Sequence, residues 1–126
     1  MTAQNFMLVF LGSGIGGCFR FGISVWSQTI FRSVFPYGTL LVNFLACLVA
    51  AFFINKCAEQ TLNDPLLRIF ILSGFCGGFS TFSTFSLENA GLIQKGLWGH
   101  AVLYTTLSLI SGILVFFLFN RPIARF

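Results

Sequence analysis

The stretch Ser73-Gly74-Phe75-Cys76-Gly77-Gly78-Phe79-Ser80-Thr81-Phe82-Ser83-Thr84-Phe85-Ser86 decides the architecture of this chain. It lies inside an apolar run from about Leu66 to Ile93, yet it does not read as an ordinary membrane helix. Three glycines fall within the five positions Gly74 to Gly78, and each disfavours a continuous helix by about 1 kcal/mol relative to Ala. Five hydroxyl residues follow within seven positions, Ser80 to Ser86, and compete for backbone hydrogen bonds. A break within Phe79 to Ser86, near mid-span, is therefore expected. Broken backbone at that depth is tolerated only when protein buries it or a watery cavity meets it. Its free amides and carbonyls are ready ion ligands. Phe79, Phe82 and Phe85 recur at every third residue and share one face. A phenyl ring has a positive edge, which can approach an anion. Three rings among 18 phenylalanines are equally well read as packing when taken alone; the glycines and hydroxyls tip the reading towards an ion path.

The rest of the chain supplies a bilayer for that break. It has 126 residues, enough for one domain spanning 1–126. It is 56% hydrophobic and 8% charged, against about 25% charged in a soluble domain, so it cannot cover a water-facing surface. Its mean hydropathy of +0.91 agrees. About 20 apolar residues cross the hydrocarbon core as a helix. Four runs meet that length or approach it: Phe6 to Phe31, Thr39 to Ile54, Leu66 to Ile93 and Leu97 to Phe119. Pro36 and Gly38 punctuate the first connection, Glu59-Gln60-Thr61-Leu62-Asn63-Asp64-Pro65 the second, and Gln94-Lys95-Gly96 the third. The last run stops at Asn120-Arg121-Pro122. The fold class expected is an all-α integral membrane protein of four transmembrane helices, the third of them broken.

Lys56, Arg68, Arg121 and Arg125 fall on the side of the termini, and Arg32 and Lys95 on the other, with Arg20 if it snorkels that way. Such a small bias barely selects an orientation and is compatible with insertion both ways. The net charge of +4 is not clustered, which argues against nucleic-acid binding. Cys18, Cys47, Cys57 and Cys76 form no C-x-x-C pair and His100 is the single histidine, so the cysteines read as packing residues rather than metal ligands. The N-terminus lacks the basic n-region of a cleavable signal peptide. Gly12 and Gly16 make a G-x-x-x-G spacing, which lets helices approach closely.

Further polar residues fall at membrane depth. Asn43 follows Thr39 by one turn on the second span. Tyr104, Ser108 and Ser111 form a stripe on the fourth, and Arg20 and Glu88 are charges in or near the bilayer. An ionisable group there is a functional candidate by default. A stripe of amide and hydroxyl donors suits an anion, and Glu88 is the one candidate carboxylate in the membrane, which argues against an acidic cation path. Fluoride, small and tightly hydrated, would demand many close donors, but composition and spacing do not choose it.

Gly77-Gly78-Phe79-Ser80-Thr81-Phe82-Ser83-Thr84-Phe85 resembles the signature of the Fluc (CrcB) fluoride channels. Gly38-Thr39-Leu40-Leu41-Val42-Asn43 is similar to that family's G-T-x-x-V-N motif, and Gly17-Cys18-Phe19-Arg20 to its helix-one motif. The resemblance covers essentially the whole chain. It implies an antiparallel, dual-topology homodimer in the cell membrane, in bacteria the inner membrane, with two pores carrying fluoride passively down its gradient and so lowering cytoplasmic fluoride. On this basis Phe82 and Phe85 present ring edges to fluoride, with Ser83 and Thr84 on the same path. Asn43 is the helix-two pore residue, Arg20 lies near a vestibule, and Tyr104, Ser108, Glu88 and Thr39 accompany the pore. The resemblance further implies a structural sodium ion on the backbone carbonyls of Gly77 and Ser80 from both subunits. Ser111 carries over less securely because Gly112 competes for its place, and Phe79 is left out.

Two other classes make different demands. A small dual-topology multidrug transporter needs a carboxylate in helix one, where this chain has Arg20 and no acid. A purely structural subunit needs no polar stripe. An enzyme is the poorest fit, because no second base accompanies His100.

Overall fold

The computed structural model describes residues 2–59 and 62–119. Among these the chain is helical, and four of its helices are long and apolar enough to cross a membrane. They are α1 (Ala3–Ile30), α2 (Tyr37–Ala58), a composite third span (Pro65–Gln94) and a fourth (Trp98–Leu118). The third span opens with α3 (Pro65–Arg68), continues as a π-helical stretch (Ile69–Cys76) and ends its first half with α4 (Gly77–Phe79). It resumes as α5 (Phe82–Gln94), and the fourth span is α6 (Trp98–Leu118). The protein is thus a multi-pass membrane protein, with Phe6, Phe10, Phe21, Leu107 and Ile110 among the apolar side chains turned outward.

Local chemistry sets the ends. Asp64 Oδ1 accepts from the Leu66 N–H at 2.8 Å and Pro65 occupies the first helical position, where its missing N–H costs nothing. Gly96, at φ +73°, closes α5: its N–H reaches the Ile93 carbonyl at 2.9 Å and that of Leu97 reaches Leu92 at 2.9 Å, a Schellman end that glycine takes without strain. α2 runs a turn beyond the expected stop at Asn55-Lys56, because a cation suits a helix C-terminus and Lys56 Nζ pairs there with Glu59 at 3.0 Å. Gln60, Thr61, and the segment with Asn120, Arg121, Pro122 and Arg125 lie outside the described residues.

The glycines require a correction. Gly74, Gly77 and Gly78 remain helical, and the break comes after them, at Ser80 (ψ 160°) and Thr81 (φ −151°, ψ 123°). Gly74 and Gly78 serve close approach instead. A Cβ on Gly78 would strike the Ser13 backbone of α1, and one on Gly12 would lie 2.6 Å from the Phe70 carbonyl oxygen. Gly16 meets the Phe75 carbonyl and the Phe79 amide in the same way. Gly38 is likewise a helix residue rather than a turn, and a Cβ there would lie 3.1 Å from the Ser27 side chain. Gly12→Ala is therefore expected to cost about 1–3 kcal/mol, since backbone rather than a flexible side chain must yield. Gly14→Ala, which meets open space, should be near neutral. Thermal unfolding in detergent compares the two, and equal midpoints would dispose of the packing role.

Two buried clusters flank the break. Val42, Ala46 and Phe79 lie on one side, and Phe35, Leu92, Ala101 and Tyr104 on the other.

Candidate functional site

The break is held open by one side chain. Thr81 is buried, so its peptide groups need partners. Asn43, from α2, supplies both: the Thr81 N–H donates to Asn43 Oδ1 at 2.8 Å and Asn43 Nδ2 donates to the Thr81 carbonyl at 3.1 Å. Thr81 then caps α5, its Oγ1 accepting from the Thr84 N–H at 3.3 Å and donating to Thr84 Oγ1 at 3.1 Å, with Ser83 Oγ at 3.3 Å. On the other side, the Ser80 N–H and Oγ both donate to the Cys76 carbonyl, at 2.9 and 2.8 Å.

Carbonyls are released by these choices. The N–H four residues beyond Gly77 belongs to Thr81 and is spent on Asn43. The one four beyond Ser80 belongs to Thr84 and is spent on Thr81. The Ser80 carbonyl instead accepts from Arg20 Nη1 at 3.4 Å. Mid-membrane, the carbonyl end of one half-helix therefore meets the amide end of another, and the second end favours negative charge.

Beyond the break, Phe82 and Phe85 form a stripe with ring centroids 5.9 Å apart. Phe82 is 79% exposed, whereas Phe85 is half-buried with its ring 5.0 Å from Tyr104. Glu88, one turn on, accepts from Thr39 Oγ1 and from the Tyr104 hydroxyl, both at 2.8 Å, and so ties three spans together. Thr39 and Glu88 also line a cavity of about 310 Å³ shared with Ser24, Ser27, Thr84 and Lys95, at the end of the molecule where the 31–36 connection and Lys95 lie.

Residues 7–119 match the family described as CrcB-like protein, Camphor Resistance (CrcB). The chain belongs to the CrcB family. Several relatives of this CrcB chain carry the name Fluoride-specific ion channel FluC. One from Nitratiruptor sp. is 44% identical over 87% of this chain and 87% of its own. One from Azobacteroides pseudotrichonymphae is 39% identical over 86% and 87%, and one from Agrobacterium fabrum 34% identical over 90% of each.

In the CrcB chain the expected site residues are brought together unevenly. Asn43, Thr39, Thr84, Phe85, Glu88, Tyr104 and Arg20 join one region around the break and the cavity. Ser83 touches Thr81 and is otherwise exposed. Ser108 Oγ is buried without a partner among the described residues, while Ser111 Oγ turns back to the Ser108 carbonyl at 3.4 Å. Tyr104 and Thr39 point their hydroxyls at Glu88, so the stripe is a network rather than a row of free donors. Three participants escaped the sequence reading: Thr81 as the clamped residue, and the pair Asn89 and Thr105, joined at 3.1 Å. Asn89 stands one turn after Phe85, a spacing that could have marked it. No group of three or more His, Cys, Asp or Glu able to hold a metal occurs among the described residues.

Proposed function

We propose that this chain is a subunit of a fluoride-selective channel that passes the ion down its gradient. The observation that carries the reading is the Asn43-clamped break, which sets a helix amide end and the rings of Phe82 and Phe85 beside a hydroxyl network at membrane depth. A small anion entering there loses water, and a path must replace it with fixed donors. Amides at the start of α5, the hydroxyls of Ser83 and Thr84, and the positive ring edges are donors of the right sign. The name shared by the FluC relatives supports the choice of fluoride. The assembly we propose is an antiparallel dual-topology homodimer with two pores. The high exposure of Phe82 in one chain supports it, since a second copy would wall that ring in.

The residues also fit a structural sodium ion. Gly77 and Ser80 have carbonyls freed from the helix ladder, hard oxygen donors of the kind a sodium ion takes. One chain offers too few oxygens alone, and a second copy would complete the set. Such an ion would neutralise the carbonyl-rich side of the break; since Arg20 already donates to the Ser80 carbonyl at 3.4 Å, the ion would have to take that oxygen's other lone pair. Thermal unfolding in sodium against N-methylglucamine buffer reads its contribution; identical midpoints would remove it.

Ion efflux from liposomes holding the purified protein tests the main reading. Rapid fluoride efflux with little or no chloride efflux is expected. Equal rates for the two anions, or none for either, would overturn the selectivity. Proton-driven uptake of organic cations is not expected, because the membrane carboxylate lies on the third span, with its oxygens held by Thr39 and Tyr104.

A further inference from the structure

We infer that Asn89 and Thr105 form a latch that sets the rotation of α5 about its own axis, and through it the angle at which Phe82 and Phe85 face the pathway. This inference rests on the fluoride reading above. Because Ser80 and Thr81 are extended, α5 is not continuous with the half-helix before it, and no backbone ladder transmits a rotation across. Its orientation is then set by its packing against α6 and by side-chain ties.

At the N-terminal end, Asn43 holds Thr81. Further along, α5 meets α6 through two neighbouring pairs: Glu88 with Tyr104 at 2.8 Å, and Asn89 with Thr105 at 3.1 Å. Adjacent residues on a helix stand about 100° apart around the axis. A single tie would act as a pivot, whereas two ties at different angles stop rotation in both senses. Asn89 is well placed for this, since it falls on the stripe of Phe82 and Phe85. Its Nδ2 donates to the Phe85 carbonyl at 3.1 Å, while its Oδ1 accepts from Thr105 Oγ1. Thr105 therefore spends its hydroxyl between helices, although a helical threonine has its own i−4 carbonyl within reach.

The surroundings make the pair costly to break. Asn89 and Thr105 line an open, mostly apolar groove of about 580 Å³ between α5 and α6, together with Phe85, Ile93, Trp98 and Val102. Because that lining is mostly apolar, a severed amide or hydroxyl would find few replacement partners among its neighbours.

The test measures fluoride efflux from liposomes for the wild type, Asn89→Leu, Thr105→Val, the double variant and Thr105→Ser, each checked for folding by its elution profile. Asn89→Leu and Thr105→Val should each slow efflux roughly tenfold or more, misplacement of a working group by an ångström costing up to about 10²-fold. The double variant should be no slower than the worse single, as expected of one shared contact. Thr105→Ser, which keeps the hydroxyl, should retain the wild-type rate; a merely structural loss of packing would not spare it. Wild-type rates in both single variants would overturn the latch alone, as would additive losses or a Thr105→Ser as slow as Thr105→Val. A wild type that passes no fluoride would instead overturn the fluoride reading and the latch with it. Should Asn89→Leu fail to fold, the Thr105→Val and Thr105→Ser pair decides the question.

Discussion

Replacing Phe85 by Ile should slow fluoride efflux by about 10- to 100-fold while leaving a folded protein. A desolvated ion against an aromatic quadrupole gains about 2 kcal/mol in the well-studied cation case, and about 1.4 kcal/mol corresponds to each tenfold. Ile matches Phe in hydrophobic character but offers no positive edge, so packing is largely retained and the ion's partner is lost. Phe82→Ile should act in the same direction. The two differ in stability: Phe85 lies 5.0 Å from Tyr104 in a tilted ring contact and packs against the Phe35–Tyr104 cluster, while Phe82 is 79% exposed. Phe85→Ile should therefore lower the unfolding midpoint more than Phe82→Ile. Liposome efflux and thermal unfolding on the same preparations separate the effects, and unchanged flux in both variants would remove the rings from the pathway.

Asn43→Leu should be the most damaging single change to the fold of the break. It removes the acceptor for the Thr81 N–H and the donor for the Thr81 carbonyl, both on a buried residue. Each orphaned group costs about 1–3 kcal/mol, so a loss of about 2–6 kcal/mol is expected. Asn43→Asp keeps an acceptor for the N–H but sets a carboxylate against the carbonyl, and should fall between Leu and wild type. Thermal unfolding ranks the three, and hydrogen exchange reports whether the Thr81 amide has lost its protection. A protected Thr81 amide in Asn43→Leu would show that something else holds the break.

The change of backbone near Ser80 and Thr81 was legible in the chain, but for a partly wrong reason. Hydroxyl density does mark it: Ser80 doubles up on the Cys76 carbonyl and Thr81 caps α5. The glycines do not: Gly74, Gly77 and Gly78 all stay helical, and for Gly74 and Gly78 the cost to the helix is offset by the contact they permit with α1. Propensity is a per-residue quantity, whereas close approach depends on a partner helix that local sequence does not specify. The π-helical winding of Ile69–Cys76 had no comparable signal either. Asn43 was visible as a polar residue at membrane depth, yet its partner was not. The same holds for Glu88, whose two donors come from α2 and α6.

What the amino-acid order determines alone is therefore local: four apolar spans, their caps at Asp64 and Gly96, and the place where the third span must stop being a helix. These follow from hydropathy, capping chemistry and hydroxyl competition, which act over a few residues. The tertiary structure decides which groups meet across helices: Asn43 with Thr81, Glu88 with Thr39 and Tyr104, Asn89 with Thr105, and Gly78 with Ser13. Those pairings depend on each helix's rotation and depth, and in a bilayer such quantities are set by packing and interhelical hydrogen bonds rather than by hydropathy. The ion path lies in that second set, which is why its ingredients were readable in the sequence and its arrangement was not.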